Sequence, residues 1–194
     1  MLAPLPKNTL IGTLGPAFSF HDILHRKEFN NYPLHYFDSF DDIFLALTSQ
    51  QIGAAIIAVK NSIHGSIQKN LNAISKYDLE IVTEFELPII FHLAAKNKVP
   101  IDRITSIYAH EIAWSECLVF LKKLKATHIN SKSNSQALID LLNDSSEFSA
   151  AIAGKEAMEH YGLMSISENI DTCSENITTF ALVINNPNNL HQKK

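Results

Sequence analysis

An α/β fold is predicted for this chain from three features of its sequence. Stretches typical of strands and of helices alternate along most of its 194 residues. One stretch, Gly53 to Val59, is an unbroken apolar run, too short for an ordinary helix and rich enough in isoleucine and valine to form a strand buried on both faces. Hydrophobic residues make up 46% of the chain, which is enough for a buried core.

Charge and composition exclude several classes of partner. The net charge is −4 and the 16 basic residues are scattered, so neither nucleic acid nor an anionic membrane is expected to bind. No run of eighteen apolar residues and no apolar leader is present, which predicts neither a membrane span nor a signal peptide. Cys117 and Cys173 lack the spacing of a metal or redox motif and are expected to be free thiols. We therefore expect a cytoplasmic protein that binds a small molecule.

The buried strand at 53–59 leads into a polar turn and then a helix. The turn contains five polar or small residues: Lys60, Asn61, Ser62, His64 and Gly65. From Ile67 to Tyr77 apolar residues recur at helical spacing. Hydroxyls, an amide and backbone N–H groups would thus stand at the carboxyl end of a parallel strand. In open α/β sheets, ligands bind at that end.

Further strand and helix units are predicted on both sides of this stretch. Ser19 is placed to cap a first helix, and the Ser39 and Asp42 pair resembles a capping box that opens a second. Pro88 is expected to divide the extended stretch 79–95, and a new lobe is expected to begin near it. The other predicted strands lie at 10–14, 34–37, 104–108, 126–129, 149–153, 163–170 and 179–184.

Three more helices are predicted in the second half. The helix at 112–124 is apolar on most sides and is expected to be well buried. A helix to Leu142 follows the caps at 133–135, and another runs from Gly154 to the Tyr161-Gly162 pair. Several helices would therefore begin at polar residues: Ser19, 61–66, His110 and 133–135. Each group is suited to ordinary capping, and converging helix starts are suited to binding a carboxylate.

Four short motifs resemble, in order, those of the prephenate dehydratase catalytic domain. The family patterns are Gly-Pro-x-Gly-Thr-Phe-Ser, Glu-Asn-Ser-x-x-Gly, Ser-His-Pro with a later Gln-Cys, and Tyr-Gly-Leu followed by Asn-x-Thr-Arg-Phe. In this chain they read GPAFSFH at 15–21, KNSIHG at 60–65, AHE with EC at 109–117, and YGL with NITTF at 161–180. Each is weak alone, but together they resemble the family over roughly 10–184.

The resemblance implies a two-lobed, periplasmic-binding-protein-like type II fold with a cleft between the lobes. One domain is expected over 8–186, with lobe 1 at about 8–86 plus 174–186 and lobe 2 at about 88–170. The polar stretch 187–194 is expected to be a frayed tail. Many family members carry a C-terminal ACT domain that binds phenylalanine, and none is expected within this sequence. A homodimer is also implied.

The resemblance further implies conversion of prephenate to phenylpyruvate in phenylalanine biosynthesis, with carbon dioxide and hydroxide lost together. Aromatisation drives the reaction, so the protein mainly binds two carboxylates and assists the departing hydroxyl. Thr178 is implied to hydrogen-bond to the leaving oxygen, and Asn61 and Ser62 to act beside it. The other implied substrate contacts are Ser19, Lys60, Gly65, His110, Glu116, Asn176, Thr179 and Phe180. No cofactor is implied, and no metal is expected because the histidines lack ligand spacing.

The chain departs from the family patterns at charged and polar positions. Thr179 stands where the pattern has Arg, and losing a bidentate carboxylate contact typically costs about 2–5 kcal/mol. Lys60 stands in place of Glu and is interpreted either as a compensating charge on the opposite side of the pocket or as a solvated lysine. Glu116 stands in place of Gln: it would repel a dianion unless protonated or paired with Lys60, or it is a solvated helix residue. Phe18 replaces Gly and is expected to fill the first turn.

Three functions from different classes are consistent with these residues. The first is a dehydratase with a remodelled site. The second is a lyase similar to prephenate decarboxylases, which also lack the Arg and keep the cyclohexadienol ring. The third is a catalytically silent protein that binds a small carboxylate.

Overall fold

The computed structural model describes residues 5–173 and 175–186, which form an α/β fold with two separate sheets. The chain divides into two compact units. The first comprises the described residues of Met1–Pro16, Phe20–Pro88 and Ile177–Lys194, and the second those of Ala17–Ser19 and Ile89–Asn176. The α/β prediction is confirmed, whereas the predicted tail at 187–194 lies outside the described residues.

The described residues contain eleven strands and seven α-helices. The strands are β1 (Ile11–Leu14), β2 (Leu34–Phe37), β3 (Ala54–Asn61), β4 (Gly65–Ser66), β5 (Leu79–Pro88), β6 (His92–Ala95), β7 (Ser106–Ala109), β8 (Thr127–Asn130), β9 (Ser149–Ala153), β10 (Met164–Ser167) and β11 (Ile177–Asn185). The helices are α1 (Phe20–Glu28), α2 (Phe40–Thr48), α3 (Gln68–Lys76), α4 (Glu111–Glu116), α5 (Leu118–Leu121), α6 (Asn134–Asn143) and α7 (Lys155–His160). None of these helices has the length and apolar character needed to cross a membrane.

The sheet of the first unit is mixed, with the strand order β2-β1-β3-β11-β5. Strand β1 pairs in parallel with β2 and β3, whereas β11 runs antiparallel to both β3 and β5. As predicted, β3 is buried on both faces up to Val59. Side chains of α2 such as Phe44 and Leu47 pack on one of those faces with Ile57. The central position of β3 follows from its apolar sequence, because a strand covered on both sides has no polar face.

The sheet of the second unit has the order β10-β6-β9-β7-β8. Strand β6 is antiparallel to β9 and β10, and β7 is parallel to β8 and β9. Its core joins β9 to α6 and α7 through apolar side chains, including Ala151, Leu138 and Met158. Alanine predominates in β6 and β9, so the helices can approach the sheet closely.

Several predicted element boundaries are confirmed by local hydrogen bonds. Ser39 caps α2: its Oγ accepts from the Asp42 N–H and donates to the Asp42 carboxylate. Ser133 caps α6 by accepting from the N–H of Gln136. Pro88 ends β5, as expected of a residue without an N–H to donate. Gly162 follows α7 with a φ of 66°, the left-handed conformation that glycine adopts without strain.

The polar turn after β3 differs from its prediction. The strand continues through Lys60 and Asn61, and Gly65 and Ser66 pair back onto it as β4. The turn is therefore a hairpin tip, and α3 begins after Ile67, which makes no side-chain capping bond. Pairing with β11 explains the longer strand, because the antiparallel partner satisfies the backbone of these polar residues.

The predicted helix at 112–124 is also different. It is broken at Cys117 into the short helices α4 and α5. Its apolar character does not bury it: Ile112 is 46% exposed and Val119 57% exposed. Only one side of this segment, represented by Ala113 and Leu121, is covered by the second unit.

Candidate active site

Asn61 is fixed in one orientation at the tip of the β3–β4 hairpin. Its Oδ1 accepts from the backbone N–H groups of Ile63 at 2.9 Å and His64 at 3.0 Å. Because both of these donors face the oxygen, the amide nitrogen must be the atom that faces β11. There Nδ2 donates to Oγ1 of Thr178 at 3.1 Å. The hairpin geometry thus decides which hydrogen-bonding role is left to Thr178.

Thr178 lies on β11 and is 9% exposed. Its hydroxyl oxygen is the acceptor in the bond from Asn61, so its own proton points away from Asn61. The bond from Asn61 therefore leaves the Thr178 hydroxyl with the role of a donor. A hydroxyl held in this way can donate to an oxygen atom that develops negative charge.

Ser62 and Gly65 shape the same hairpin. Ser62 accepts the N–H of Ile177 on its Oγ at 2.9 Å, and its own N–H donates to the Ile177 carbonyl at 2.8 Å. Gly65 has a φ of 78°, a left-handed conformation that glycine adopts without strain. Both residues are exposed, and Ser62 ties the hairpin to the start of β11.

Two adjacent rows of side chains cross β3, β11 and β5 at this point. One row contains Asn61, Thr178 and Leu87, all of which are buried. The next contains Lys60, Thr179 and Glu86, which are exposed or partly exposed. Residues paired across strands share one face of a sheet, and consecutive residues face opposite sides. The catalytic candidates Asn61 and Thr178 therefore face away from Lys60 and Thr179.

The register bears on the expectation that Lys60 supplies a compensating charge from the opposite side of the pocket, which stays a prediction. Lys60 is the cross-strand neighbour of Thr179, so both replaced positions belong to one pair. In the family pattern the same two positions hold Glu and Arg, which would face each other as an opposite-charge pair. The absence of Arg at 179 therefore changes the exposed row and leaves the row of Thr178 intact.

Phe180 is a packing residue in the first unit. It is 1% exposed, and its ring meets that of His21 edge-on with 4.9 Å between centroids. The prediction that Phe180 contacts substrate does not match this burial. From the sequence, His21 is considered only as a possible metal ligand, and the spacing of the histidines excludes that role. In the structure, the ring of His21 packs between those of Phe180 and Phe40. Burial lowers the pKa of His21 to about 4, so its imidazole is neutral at neutral pH.

In the second unit, Glu116 and Asn176 form a buried pair. Glu116 is 6% exposed, and its Oε2 accepts from Nδ2 of Asn176 at 2.8 Å. The interpretation of Glu116 as a solvated helix residue is therefore wrong. Burial raises the pKa of the adjacent Cys117 thiol, and the charges of Asp171 and Glu116 raise it further, so Cys117 stays protonated.

His110 caps α4, as the sequence predicts. Its Nδ1 accepts from the N–H of Ile112 at 3.3 Å, which requires the tautomer with the proton on Nε2. Burial lowers the pKa of His110, partly opposed by the charge of Glu111. His110 is therefore a neutral donor through Nε2.

The remaining candidate, Ser19, lies directly before α1 in the short segment 17–19 that belongs to the second unit. The preceding ring, that of Phe18, stacks on His160 of α7.

The structure thus brings the candidates together in two groups. The first unit contains Lys60, Asn61, Ser62, Gly65, Thr178, Thr179 and Phe180, and the second contains Ser19, His110, Glu116 and Asn176. That both groups line one cleft stays a prediction. Among the described residues, no three histidine, cysteine, aspartate or glutamate side chains are placed to bind a metal ion.

Comparison with known proteins decides the family. The family model for prephenate dehydratase matches residues 11–188, which is most of the chain. The chain belongs to the prephenate dehydratase family. The resemblance of its four motifs is thereby confirmed.

Relatives of this prephenate dehydratase family member have low sequence identity to it but align with most of the chain. A bifunctional chorismate mutase/prephenate dehydratase of Buchnera aphidicola subsp. Acyrthosiphon pisum is 27% identical over 150 residues, covering 77% of this chain and 39% of the relative. Arogenate dehydratase/prephenate dehydratase 2 of Arabidopsis thaliana is 28% identical over 154 residues, with the same two coverages. The chain therefore spans well under half the length of these relatives.

A solved prephenate dehydratase shares the fold. The enzyme from Arthrobacter aurescens, crystallised in complex with L-Phe, superposes with a TM-score of 0.82 at 23% identity, covering 91% of this chain and 60% of that chain. This likeness confirms the predicted two-lobed type II fold class.

Proposed function

We propose that the chain catalyses the decarboxylative dehydration of prephenate to phenylpyruvate, the step that forms the aromatic ring in phenylalanine biosynthesis. Its family membership supports this activity. The observation that carries the proposal is the Asn61–Thr178 bond, because it leaves the Thr178 hydroxyl as a hydrogen-bond donor. The residues that stand in for the family's Arg and Glu lie in the other row of the sheet and leave this donor in place.

The proposed reaction needs little covalent chemistry from the protein. The bond from the ring to its carboxylate breaks, and its electron pair enters the ring as carbon dioxide leaves. The ring carbon opposite loses its hydroxyl with the C–O electron pair, and the departing hydroxide takes up a proton from the solvent to become water. A threonine hydroxyl is too weakly acidic to ionise near neutral pH, so Thr178 stabilises the departing oxygen through a hydrogen bond. Aromatisation of the ring provides the driving force.

Asn61 acts through Thr178 in this mechanism. Two backbone N–H groups fix its amide, and the amide in turn orients the hydroxyl. Because the hydroxyl is held before substrate binds, little reorganisation is needed when charge develops on the leaving oxygen. Ser62 supports the same geometry by joining the hairpin to β11.

The substrate is a small dicarboxylate in this proposal, and His110 contributes a neutral Nε2–H donor to its binding. Neutrality matters because a cation at this position would lose the Nδ1 bond to the N–H of Ile112. Thr179 and Lys60 contribute to the exposed row and are not needed to hold the substrate beside Thr178.

Incubation of the purified chain with prephenate tests the proposal, with arogenate as a parallel substrate. Products are identified by mass and by ultraviolet absorbance. Phenylpyruvate from prephenate supports the proposal, and phenylalanine from arogenate alone would reassign the substrate. A non-aromatic decarboxylated product would favour the decarboxylase alternative. No turnover, together with a raised unfolding temperature in the presence of prephenate, would favour a silent binding protein.

We further propose that the protein acts in the cytoplasm, in keeping with its two free thiols, Cys117 and Cys173. A homodimer is also proposed, on the family resemblance alone. Light scattering coupled to size exclusion measures the mass in solution, and a monomer at micromolar concentration would contradict the dimer.

A further inference from the structure

Phe18 adopts a backbone conformation that disfavours its side chain. Its φ is 61°, in the left-handed region where a β-carbon crowds the following carbonyl oxygen. Glycine adopts this region without strain, and the resembling family motif has glycine at this position. A phenylalanine is stable here only if contacts of its ring compensate for the strained backbone.

The ring of Phe18 makes such contacts within the second unit. It stacks on the imidazole of His160, with 3.8 Å between ring centroids and 19° between planes. Tyr161 meets the other ring of this pair, His160, at 4.9 Å and 72°. Both Phe18 and Tyr161 also pack against the buried cluster that includes Leu138 and Met158. His160 is therefore held between two anchored aromatic rings.

Because Ser19 directly follows Phe18 in the chain, this stack affects the position of Ser19. Residues 17–19 group with the second unit, although Pro16 before them and Phe20 after them belong to the first. Phe18 is the middle residue of this three-residue segment and the only one of the three with a large side chain. Its ring contacts therefore contribute to fixing the backbone next to Ser19.

We propose that Phe18 is a positioning residue: by stacking on His160, it holds the 17–19 segment so that Ser19 can contact the substrate. The inference deepens the proposed function, because Ser19 is one of the predicted substrate contacts. It differs from an ordinary packing role, since losing the stack would move a binding group without disrupting the fold.

Three variants test this positioning role. Phe18→Gly removes the ring and also relieves the backbone strain, so the folded state should remain. His160→Ala removes the partner and leaves the strained Phe18. His160→Phe retains a flat ring and should rescue the stack. A matched control, His128→Ala, removes another stacked histidine of the second unit. The ring centroid of His128 lies 4.2 Å from that of Trp114.

Hydrogen exchange of the amides at 17–20 is the first readout, and it requires no substrate. We expect Phe18→Gly and His160→Ala to accelerate exchange about three- to tenfold, the factor that corresponds to the loss of one aromatic stack. His160→Phe should restore the wild-type rate, and a double variant that combines Phe18→Gly with His160→Ala should exchange no faster than Phe18→Gly alone. His128→Ala should leave these amides unchanged.

Steady-state kinetics with prephenate form the second readout. We expect KM to rise about three- to tenfold in Phe18→Gly and His160→Ala with kcat little changed, and to recover in His160→Phe. Unchanged exchange in both variants would overturn the inference, as would faster exchange with an unchanged KM. If wild-type protein forms no phenylpyruvate, the proposed function fails, while the exchange data still decide whether Phe18 positions the segment.

Discussion

Lys60 on β3 and Thr179 on β11 are direct cross-strand partners. The family pattern has Glu and Arg at these positions, so the chain has changed both members of one pair. Because the pair faces away from Asn61 and Thr178, its replacement is a change on the exposed side of the sheet. Considered alone, Thr179 in place of Arg predicts a lost carboxylate contact, and Lys60 in place of Glu predicts a compensating charge or a solvated lysine.

A double-mutant cycle at this pair gives the first prediction. Lys60→Glu combined with Thr179→Arg should place opposite charges across the strands and yield a favourable coupling of about 0.2–1 kcal/mol in the free energy of unfolding. The kcat for prephenate should change by less than about threefold, because Thr178 is untouched. Urea unfolding and initial rates measure the two effects.

The matched control for this cycle replaces an exposed lysine in the second unit. Lys125→Glu with Thr179→Arg changes the same charges without a cross-strand contact and should show no coupling. A hundredfold gain in kcat/KM on restoring Arg at 179 would contradict our assignment of the pair to the exposed row.

Glu116 provides the second prediction. Glu116→Gln keeps an oxygen that can accept from Asn176, so the free energy of unfolding should change little. Glu116→Met has a similar shape without an acceptor and should lose about 1–3 kcal/mol, because Nδ2 of the buried Asn176 loses the acceptor that Glu116 provides. Urea unfolding compares the two variants. Equal stability of both would show that the Glu116–Asn176 bond contributes nothing to the fold.

The imidazole of His21, whose Nε2 is buried, provides the third prediction, which concerns pH. Its pKa is lowered by burial to about 4 in the folded protein, whereas in the unfolded chain it is close to the ordinary histidine pKa of 6.5. Between these values the unfolded chain binds the extra proton, so stability should fall as pH drops from 6.5 towards 4. The loss attributable to His21 is at most about 3 kcal/mol.

Comparing the wild type with His21→Leu isolates that contribution to the pH dependence. The variant should show a flatter decline in unfolding free energy between pH 6.5 and 4.5, measured in urea. His35→Leu, at an exposed histidine of β2, is the matched control and should keep the wild-type decline. Identical slopes in the wild type and His21→Leu would contradict the burial of a neutral imidazole.

Local patterns predicted much of the fold from the sequence. The apolar run of β3, the Ser39 capping box and the end of β5 at Pro88 each depend on neighbouring residues, and each is confirmed. The hairpin at 60–66 could not be predicted in this way, because its form depends on pairing with β11, more than a hundred residues later. Local apolar content equally could not show which side of α4 and α5 is covered.

The candidate site, like the fold, could be predicted only in part from the sequence. Motifs identified Asn61 and Thr178 as candidates, but they could not show that the Asn61 amide donates to the threonine oxygen. That relationship follows from strand register, as does the pairing of Lys60 with Thr179. His21 gave no local signal beyond its residue type, since its burial comes from Phe40 and Phe180 on other elements.

The most direct measurement of the central claim is kcat for prephenate in Thr178→Ser and Thr178→Val, with unfolding midpoints showing that both variants fold. Serine retains the hydroxyl that Asn61 orients, and its kcat should stay within about tenfold of the wild type. Valine matches threonine in shape but has no hydroxyl, so its kcat should fall by about 10²- to 10³-fold, the usual effect of removing one donor to a developing oxyanion. A folded Thr178→Val variant with wild-type kcat would contradict the account.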